Sequence, residues 1–154
     1  MKMYNTQILA TLVFIQEAHA GQKYGNMPYF YHPLEVADQL YHPTHAEYMA
    51  ALMHDVIEDT DYTAADLLER YSQEVVDMVV LLTKDDTLDY KANIQRIIDS
   101  GNTGAMKVKL ADNAVNLRGD KSQMNPARAA KLTARYKMSM EMLEAALDEL
   151  IEDY

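Results

Sequence analysis

The chain has 154 residues, of which 49% are hydrophobic and 25% charged, and its net charge at pH 7 is −10. This length and composition are typical of a single globular domain, expected over residues 1–154, and the negative charge argues against nonspecific binding of nucleic acid. Because the chain has no cysteine, disulfides, thiolate nucleophiles and cysteine-based zinc sites are excluded, and any metal must be bound by histidine, aspartate or glutamate.

The first predicted helix covers residues 6–20. Its apolar run, together with Lys2 and the A-x-A sequence at 18–20, superficially mimics a signal peptide. The run is short, contains Thr11 and ends in polar residues, so we interpret it as a core helix and expect a cytoplasmic protein. No apolar run reaches the roughly 18 residues that a membrane helix needs, so no membrane partner is expected.

Helical periodicity dominates the rest of the chain, and no segment alternates strictly enough to predict a strand. Thr63 begins a sequence that resembles a capping box, Ser72 is an expected N-cap, and Asn125-Pro126 combines a cap with proline in the first turn. These patterns predict an all-α helical bundle of about seven or eight helices. The later predicted helices cover residues 33–41, 44–58, 63–71, 72–83, 90–100, 104–117 and from 126 toward the C-terminus, and the predicted loops cover 21–31, 84–89, 101–103 and 119–125.

The most informative segment is 51–60, with the sequence Ala-Leu-Met-His-Asp-Val-Ile-Glu-Asp-Thr. In a continuous helix, positions four apart share a face, so His54 is expected to stack with Glu58 and Asp55 with Asp59. Neutral imidazole and carboxylate together bind borderline divalent metals, and two further carboxylates beside a metal can orient or deprotonate a water. The segment therefore predicts part of a metal site.

Two other segments offer further ligands. His32 stands just before a proline-initiated predicted helix, and Asp112 follows Leu-Ala, where a carboxylate is unusual unless it is paired or binds a cation. Asn116 lies four residues after Asp112 on the same helix face, with Lys109 and Arg118 close by. These side chains are candidates for the same site.

Other interpretations of these residues stay open from the pattern alone. One alternative is that His32 is a loop histidine bonded to the backbone, and another is that Glu58-Asp59 is a solvated helix end. His42 and His45 are interpreted as helix-end residues, and His19 as a structural or supporting group. Residues 106–138 contain eight basic and two acidic side chains, which indicates either a solvated helix face or a local site for a polyanion.

A set of motifs in a fixed order is similar to a known family. The motifs are Ala-His-Ala-Gly-Gln at 18–22, Pro-Tyr…His-Pro-Leu-Glu-Val-Ala at 28–37, His-Asp-Val-Ile-Glu-Asp-Thr at 54–60, Thr-Lys at 83–84 and Lys-Leu-Ala-Asp…Asn-Leu-Arg at 109–118. Over about residues 6–119 the chain resembles the HD-domain metal phosphohydrolases, whose pattern is H…HD…D. More narrowly, it resembles the hydrolase domain of the RelA/SpoT family and the small alarmone hydrolases.

The resemblance implies roles for individual residues. Glu58 and Asp59 match the pair that positions or activates the attacking water, and Asn116 matches a nucleotide-contacting position. The implied reaction removes the 3′-pyrophosphate of (p)ppGpp without a covalent enzyme intermediate, and it yields GDP or GTP and pyrophosphate. The implied ligands of one divalent ion, usually Mn²⁺ in that family, are His32, His54, Asp55 and Asp112.

The chain departs from the family in its guanine-side loop, which usually reads Gln-x-Arg-Lys-x-Gly before Pro-Tyr. Here residues 22–27 are one residue shorter and lack the arginine, and lysine offers a point charge in place of a planar fork. Asn113 and Val115 also replace the usual Arg and His after the last ligand. These changes affect base recognition and leave the expected metal chemistry intact. The candidate substrate-binding residues are Lys23, Tyr24, Lys109, Asn116 and Arg118.

Two other functions are also compatible with the sequence. The first is an HD phosphohydrolase of another nucleotide, such as a nucleoside monophosphate or NADPH. The second is a module that binds a nucleotide without turning it over. In each case the partner is a small nucleotide, and a homo-oligomer is compatible with the apolar C-terminal residues Leu143, Leu147, Leu150 and Ile151, which can pack internally or on a partner.

Overall fold

The computed structural model describes the backbone of residues 2–152 and the side chains of residues 6–152, so Met1, Asp153 and Tyr154 lie outside the described part of the expected domain. The described residues form nine helices and one short hairpin, which confirms the predicted all-α fold. The elements are α1 (Lys2–Ala18), β1 (Lys23–Tyr24), β2 (Met27–Pro28), α2 (Tyr31–Gln39), α3 (His45–Met53), α4 (Val56–Asp59), α5 (Ala64–Leu68), α6 (Gln73–Leu82), α7 (Tyr90–Asp99), α8 (Thr103–Arg118) and α9 (Pro126–Glu152).

Helix α3 is the centre of the core. Its last five residues, 49–53, are all apolar and completely buried, as expected for a helical segment that is apolar on every side. It packs against α1, α2, α6 and α8, while α8 also packs against α2, α6, α7 and α9. The C-terminal end of α3 therefore opens into the interior between α2 and α8, and the residues that follow it are held there.

Local signals set several helix starts as predicted. Thr63 and Asp66 form a capping box at α5, with Asp66 N–H donating to Thr63 Oγ1 over 3.2 Å and Thr63 N–H donating to Asp66 Oδ2 over 2.8 Å. Ser72 Oγ accepts from the N–H of Val75 at the start of α6. Pro126 is the first residue of α9, where its missing N–H costs nothing. These starts depend on sequence neighbours alone, which is why the pattern predicted them.

The predicted continuous helix over residues 44–58 is wrong. Helix α3 ends at Met53 and α4 begins at Val56, and Asp55 between them has φ −101° and ψ 0°, in the bridge region. The expected stacking of His54 on Glu58 assumed an unbroken helix and does not follow. The break instead turns consecutive side chains toward the buried end of α3, and it raises the eight predicted helices to nine.

The predicted loop at 21–31 contains a hairpin that the pattern missed. Lys23 pairs with Pro28 and Tyr24 with Met27, in antiparallel register. Gly25, with φ 60°, lies in the turn, where a left-handed conformation favours glycine. Strands of two residues are too short to show alternation, so the sequence carried no strand signal here.

Helix α2 begins at Tyr31, two residues before the predicted start. Pro33 is therefore in the first turn, where its lack of an N–H removes no intrahelical hydrogen bond. As a result, His32 belongs to the helix and is fixed by it, rather than preceding it as a loop residue.

The C-terminal apolar residues pack mainly within the chain. Leu143 is completely buried, and Leu147 and Leu150 are partly buried against the core, while Ile151 is 73% exposed. Every helix within residues 2–152 is too short or too polar to cross a lipid bilayer.

Candidate metal centre

Four side chains from three parts of the chain converge at the buried end of α3. His32 comes from α2, His54 and Asp55 from the break between α3 and α4, and Asp112 from α8. Nε2 of His32 lies 3.0 Å from Oδ1 of Asp112 and 3.8 Å from Oδ2 of Asp55, and Nε2 of His54 lies 3.1 Å from Oδ2 of Asp55 and 3.4 Å from Oδ1 of Asp112. Two imidazole nitrogens thus face two carboxylate oxygens in a small, mostly buried space.

The hydrogen bond at Nδ1 of His54 determines which nitrogen of this ring faces the two carboxylates. Nδ1 of His54 is 2.7 Å from the carbonyl oxygen of Ala51, and because a carbonyl only accepts, Nδ1 must carry the proton. In neutral His54 the nitrogen Nε2 is therefore unprotonated, and its lone pair faces two carboxylates. This nitrogen is buried and makes no directed hydrogen bond to the described residues. A cation among these atoms removes the repulsion, so the donor set fits a divalent metal ion.

The electrostatics of the cluster favour a positive charge. Burial alone lowers the pKa of His54, but the carboxylates of Asp55 and Asp112 outweigh it and raise that pKa well above its ordinary value. Burial alone would raise the pKa of Asp112, but the charge of Lys109 and the hydrogen bond with His32 outweigh burial. The pKa of Asp112 is therefore well below its ordinary value, and this carboxyl stays ionised. Two imidazoles with two ionised carboxylates are a ligand set for borderline divalent ions.

Neighbouring polar groups hold the two carboxylates in place. The Tyr29 hydroxyl donates to Oδ2 of Asp55 over 2.6 Å. Asp112 accepts from Nζ of Lys109 over 3.0 Å at Oδ2 and from Nδ2 of Asn116 over 3.1 Å at Oδ1. Lys109 and Asn116, both predicted to bind substrate, are thus already bonded to a candidate ligand, and each carboxylate presents its remaining lone pairs in a fixed direction.

Replacing Tyr29 with phenylalanine is expected to weaken binding of a divalent ion by roughly 10-fold, in the range found for partners of metal ligands. Burial and Asp55 raise the pKa of Tyr29, so its hydroxyl stays protonated and donates. Calorimetric titration of the metal-free protein measures the affinity. Tyr48→Phe is the matched control, since it removes an exposed hydroxyl bonded to Asp38. Equal affinities of Tyr29→Phe and the control would show that Asp55 is held without this bond.

A second group of carboxylates lies beside the first. Oxygen atoms of Asp55, Glu58 and Asp59 are within 4.8 Å of one another, because α4 is a single turn that presents its acidic residues together. Oε1 of Glu58 accepts from the N–H of Lys84 over 2.9 Å. Partial desolvation, with the charges of Asp55 and Glu58, raises the pKa of Asp59 to about 6 although the residue is exposed. A carboxyl with this pKa can accept a proton from water near neutral pH.

Glu58 also lines a cavity of about 370 Å³ in which basic side chains outnumber acidic ones. The charged residues of its lining are Glu58, Lys84, Asp86, Arg96, Lys109 and Arg135. The Arg135 guanidinium carbon lies 4.8 Å from the ring centroid of Tyr90, and Nζ of Lys109 lies 5.9 Å from the same centroid. Arg135 was not among the predicted site residues, although it belongs to the basic stretch 106–138, which was the available signal.

The remaining predicted substrate residues lie around the hairpin and at the end of α8. The Tyr24 ring centroid is 5.1 Å from that of His32, and the Tyr24 hydroxyl is 3.4 Å from Oε2 of Glu35. Lys23 is exposed on β1, and Nη1 of Arg118 donates to Oε1 of Gln39. Tyr24 is thus adjacent to the cluster, while Lys23 and Arg118 lie on exposed parts of the surface.

Comparison with known proteins gives a family match and several relatives. A family model described as an HD domain matches residues 11–109. The match ends before Asp112, so the place of that residue in the cluster depends on the geometry.

The chain is 33% identical over 115 residues to the guanosine-3′,5′-bis(diphosphate) 3′-pyrophosphohydrolase of Haemophilus influenzae, an alignment that covers 67% of this chain and 17% of that protein. It is 35% identical over 118 residues to the GTP pyrophosphokinase rsh of Brucella ovis, covering 69% of this chain and 16% of that protein. The chain therefore spans about a sixth of the length of these relatives.

Other relatives match along nearly their whole length. The guanosine-3′,5′-bis(diphosphate) 3′-pyrophosphohydrolase of Mus musculus is 29% identical over 169 residues, covering 96% of this chain and 94% of that protein. A solved structure, described as a metazoan ortholog of SpoT that hydrolyses ppGpp, superposes with a TM-score of 0.72 at 24% identity, and the superposition covers 96% of this chain and 94% of the other. At that identity the superposition shows a shared fold.

Proposed function

Because the chain belongs to the HD-domain family, we propose that it is a metal-dependent phosphohydrolase that removes the 3′-pyrophosphate of (p)ppGpp. One observation carries the proposal: a mostly buried cluster of two histidines and two aspartates lies beside the Glu58-Asp59 pair, and Glu58 also lines a cavity with an excess of basic side chains. The names of the Haemophilus influenzae and Mus musculus relatives support this choice of substrate. A 3′-diphosphate matches a site that combines a divalent ion with basic side chains.

We propose Mn²⁺ as the resident ion, held by His32, His54, Asp55 and Asp112. When bound, such an ion polarises a phosphoryl oxygen and lowers the pKa of water. Three of these residues are oriented by hydrogen bonds: His54 by the Ala51 carbonyl, Asp55 by the Tyr29 hydroxyl and Asp112 by Nζ of Lys109.

In this proposal Asp59 accepts the proton of the attacking water, and its pKa of about 6 supports the role, because the carboxyl is ionised at neutral pH yet basic enough to act. Glu58, held by the Lys84 amide, orients that water. The water oxygen bonds to the phosphorus attached to the ribose 3′-oxygen, and the bond between that phosphorus and the 3′-oxygen breaks. The 3′-oxygen leaves and takes a proton from solvent water, and Asp59 returns its proton to solvent, so GDP or GTP and pyrophosphate are the products.

Replacing Arg135 with glutamine is expected to raise KM roughly 10-fold and to weaken the dependence of KM on salt, with metal affinity unchanged. Arg135 lines the cavity and contacts no candidate ligand, so the charge that it offers is available to substrate phosphates. Steady-state kinetics at two salt concentrations measure the effect. Lys137→Gln is the matched control, since Lys137 is an exposed basic residue on the same helix. A KM that changes equally in both variants would exclude a specific contact.

The substrate itself is tested by a panel of ppGpp, its adenine counterpart, NADPH and nucleoside monophosphates, incubated with Mn²⁺ and resolved by anion-exchange chromatography. We expect ppGpp to be cleaved to GDP and pyrophosphate. Because the shorter hairpin loop lacks the arginine of the family and offers Lys23 or Tyr24 in its place, we expect weaker discrimination between guanine and adenine than in the family. A guanine preference far above about a hundredfold would refute this relaxed base recognition, since a lost bidentate contact limits discrimination.

The same panel separates the rival functions. Cleavage of a monophosphate or NADPH in place of ppGpp would assign the site to another nucleotide, and tight nucleotide binding without any product would indicate a binding module. The cytoplasmic location and the homo-oligomer stay predictions.

A further inference from the structure

The side-chain amide of Gln22 links the end of α1 to the end of α4. Its Nε2 donates to the carbonyl oxygen of Asp59 over 2.8 Å, and its Oε1 lies 2.9 Å from Nδ1 of His19. The Asp59 carbonyl can only accept, which fixes Nε2 as the atom that faces it. Oε1 must then face His19, and Nδ1 of His19 must be the donor. The orientation of the amide is therefore determined by its two partners.

The segment that carries Gln22 is itself held at several points. The Gln22 N–H donates to the His19 carbonyl over 3.0 Å, and the Gln22 carbonyl accepts from the Tyr29 N–H over 3.1 Å. His19 is buried, and its ring centroid lies 4.9 Å from that of Tyr29, the residue whose hydroxyl binds Asp55. The amide of Gln22 is thus presented from a rigid support.

Helix α4 depends on outside support. It has four residues, Val56–Asp59, which is too short to be stable alone. The carbonyls at a helix C-terminus lack partners within the helix, and Gln22, 37 residues away in sequence, supplies a donor for the one at Asp59. Val56 anchors the start of α4 in the core and Lys84 bonds to Glu58, while the Gln22 amide is the hydrogen bond from the α1 side to the end of the turn at Asp59 among residues 6–152. This contact therefore restrains the end of the turn that bears the reactive carboxylate.

We propose that Gln22 is a positioning residue for Asp59: its amide, oriented by His19, holds the Asp59 backbone so that the carboxylate meets the attacking water. The catalytic part of this inference rests on the proposed hydrolysis, whereas the structural part does not. The Gln22 side chain makes no hydrogen bond to His32, His54, Asp55 or Asp112 among the described residues, and its amide reaches the reacting groups through the Asp59 backbone. The Gln22 backbone also bonds to Tyr29, and a side-chain substitution leaves that bond in place.

The structural part is tested by amide hydrogen exchange in the metal-free protein. The N–H groups of Asp59 and Thr60 close α4 by bonding to the carbonyls of Asp55 and Val56. In Gln22→Met their exchange is expected to be roughly 5–10-fold faster, the size expected for the loss of one hydrogen bond that restrains local opening. Gln95→Met is the matched control, because it removes a glutamine hydrogen bond to Asp99 on an exposed face. Equal exchange at Asp59 and Thr60 in both variants would overturn the inference.

The catalytic part is tested by steady-state kinetics with ppGpp and Mn²⁺. Gln22→Met is expected to lower kcat by about 10-fold while KM changes by less than about threefold, because ground-state binding is retained. In an Asp59→Asn background the same substitution should have no further effect, since the two residues act as a unit. A merely structural role would give the same fall in both backgrounds and would contradict the inference.

The role of His19 supplies a rescue experiment. His19→Leu removes the donor to Gln22 and is expected to match Gln22→Met in both exchange and kcat. His19→Asn keeps an N–H near the position of Nδ1 and should recover part of both. Equal losses in the two His19 variants would contradict the orienting role. If the wild-type protein cleaves no nucleotide while Gln22→Met exchanges faster, the proposed function fails and the positioning of α4 stands.

Discussion

Replacing His54 with alanine is expected to abolish both metal binding and hydrolysis. The loss in affinity should exceed the roughly 100-fold seen when a partner of a ligand is removed, because His54 contributes one of the two nitrogens that face Asp55 and Asp112. Asp112→Asn tests the same site with a side chain of nearly equal shape. It should also lose the ion, since the carboxylate is replaced by a neutral amide that faces two histidines.

Metal analysis after dialysis against Mn²⁺, with a circular-dichroism melt to confirm folding, measures both variants. His42→Asn is the matched control: it removes an exposed imidazole outside the cluster at a residue with φ 43°, and asparagine tolerates that backbone conformation. Full occupancy in either His54→Ala or Asp112→Asn would place the ion elsewhere, for which the Asp55, Glu58 and Asp59 carboxylates are the next candidate group.

Replacing Asp59 with asparagine is expected to lower kcat by roughly 10²–10⁴-fold while the metal is retained, which is the effect of losing a positioned acid–base group. The fall should be smaller in Glu58→Gln, because the oxygen of glutamine can still accept from the Lys84 N–H that holds this side chain. Quench-flow or steady-state assays of pyrophosphate release measure both. Asp61→Asn is the control, because it removes the negative charge of an exposed carboxylate just beyond the same turn. Wild-type rates in both Glu58→Gln and Asp59→Asn would remove the water-activating role.

The pH dependence of the same variants gives a further check on the base. The pKa of Asp59 is raised to about 6 in the metal-free protein, and a nearby divalent ion lowers it. Because the reactive form is the carboxylate, kcat/KM should fall as pH drops through a value at or below about 6. This acidic limb should disappear in Asp59→Asn and persist in Asp61→Asn.

Much of the candidate site was readable from short stretches of sequence. A pair such as His54-Asp55 and a carboxylate after Leu-Ala at Asp112 are out of place in buried helices unless they bind a cation, so composition and position together identified them. The helix starts at Thr63, Ser72 and Pro126 were predicted for a similar reason, since a cap depends on residues three or fewer positions away. Local chemistry was sufficient wherever the partners were sequence neighbours.

The tertiary structure alone decided how these groups meet. The break at His54-Asp55 brings both side chains into the cluster with His32 and Asp112 at the end of a buried helix, and the periodicity within residues 44–58 does not predict it. Lys109 was predicted to bind substrate because of its positive charge. In the described structure it lies one turn before Asp112 and donates a hydrogen bond to that carboxylate.

Long-range contacts account for what the sequence pattern could not supply. Arg135 joined the cavity because α9 packs along α7 and α8, and Gln22 reached the carbonyl of Asp59 across 37 residues. Hydrophobic periodicity and caps predicted most of the helices, and the position of ionisable residues in apolar segments marked the candidate site, because both depend on residues close in the chain. The packing of those helices determined which nitrogen faces which oxygen, because that depends on atoms that are distant in the chain.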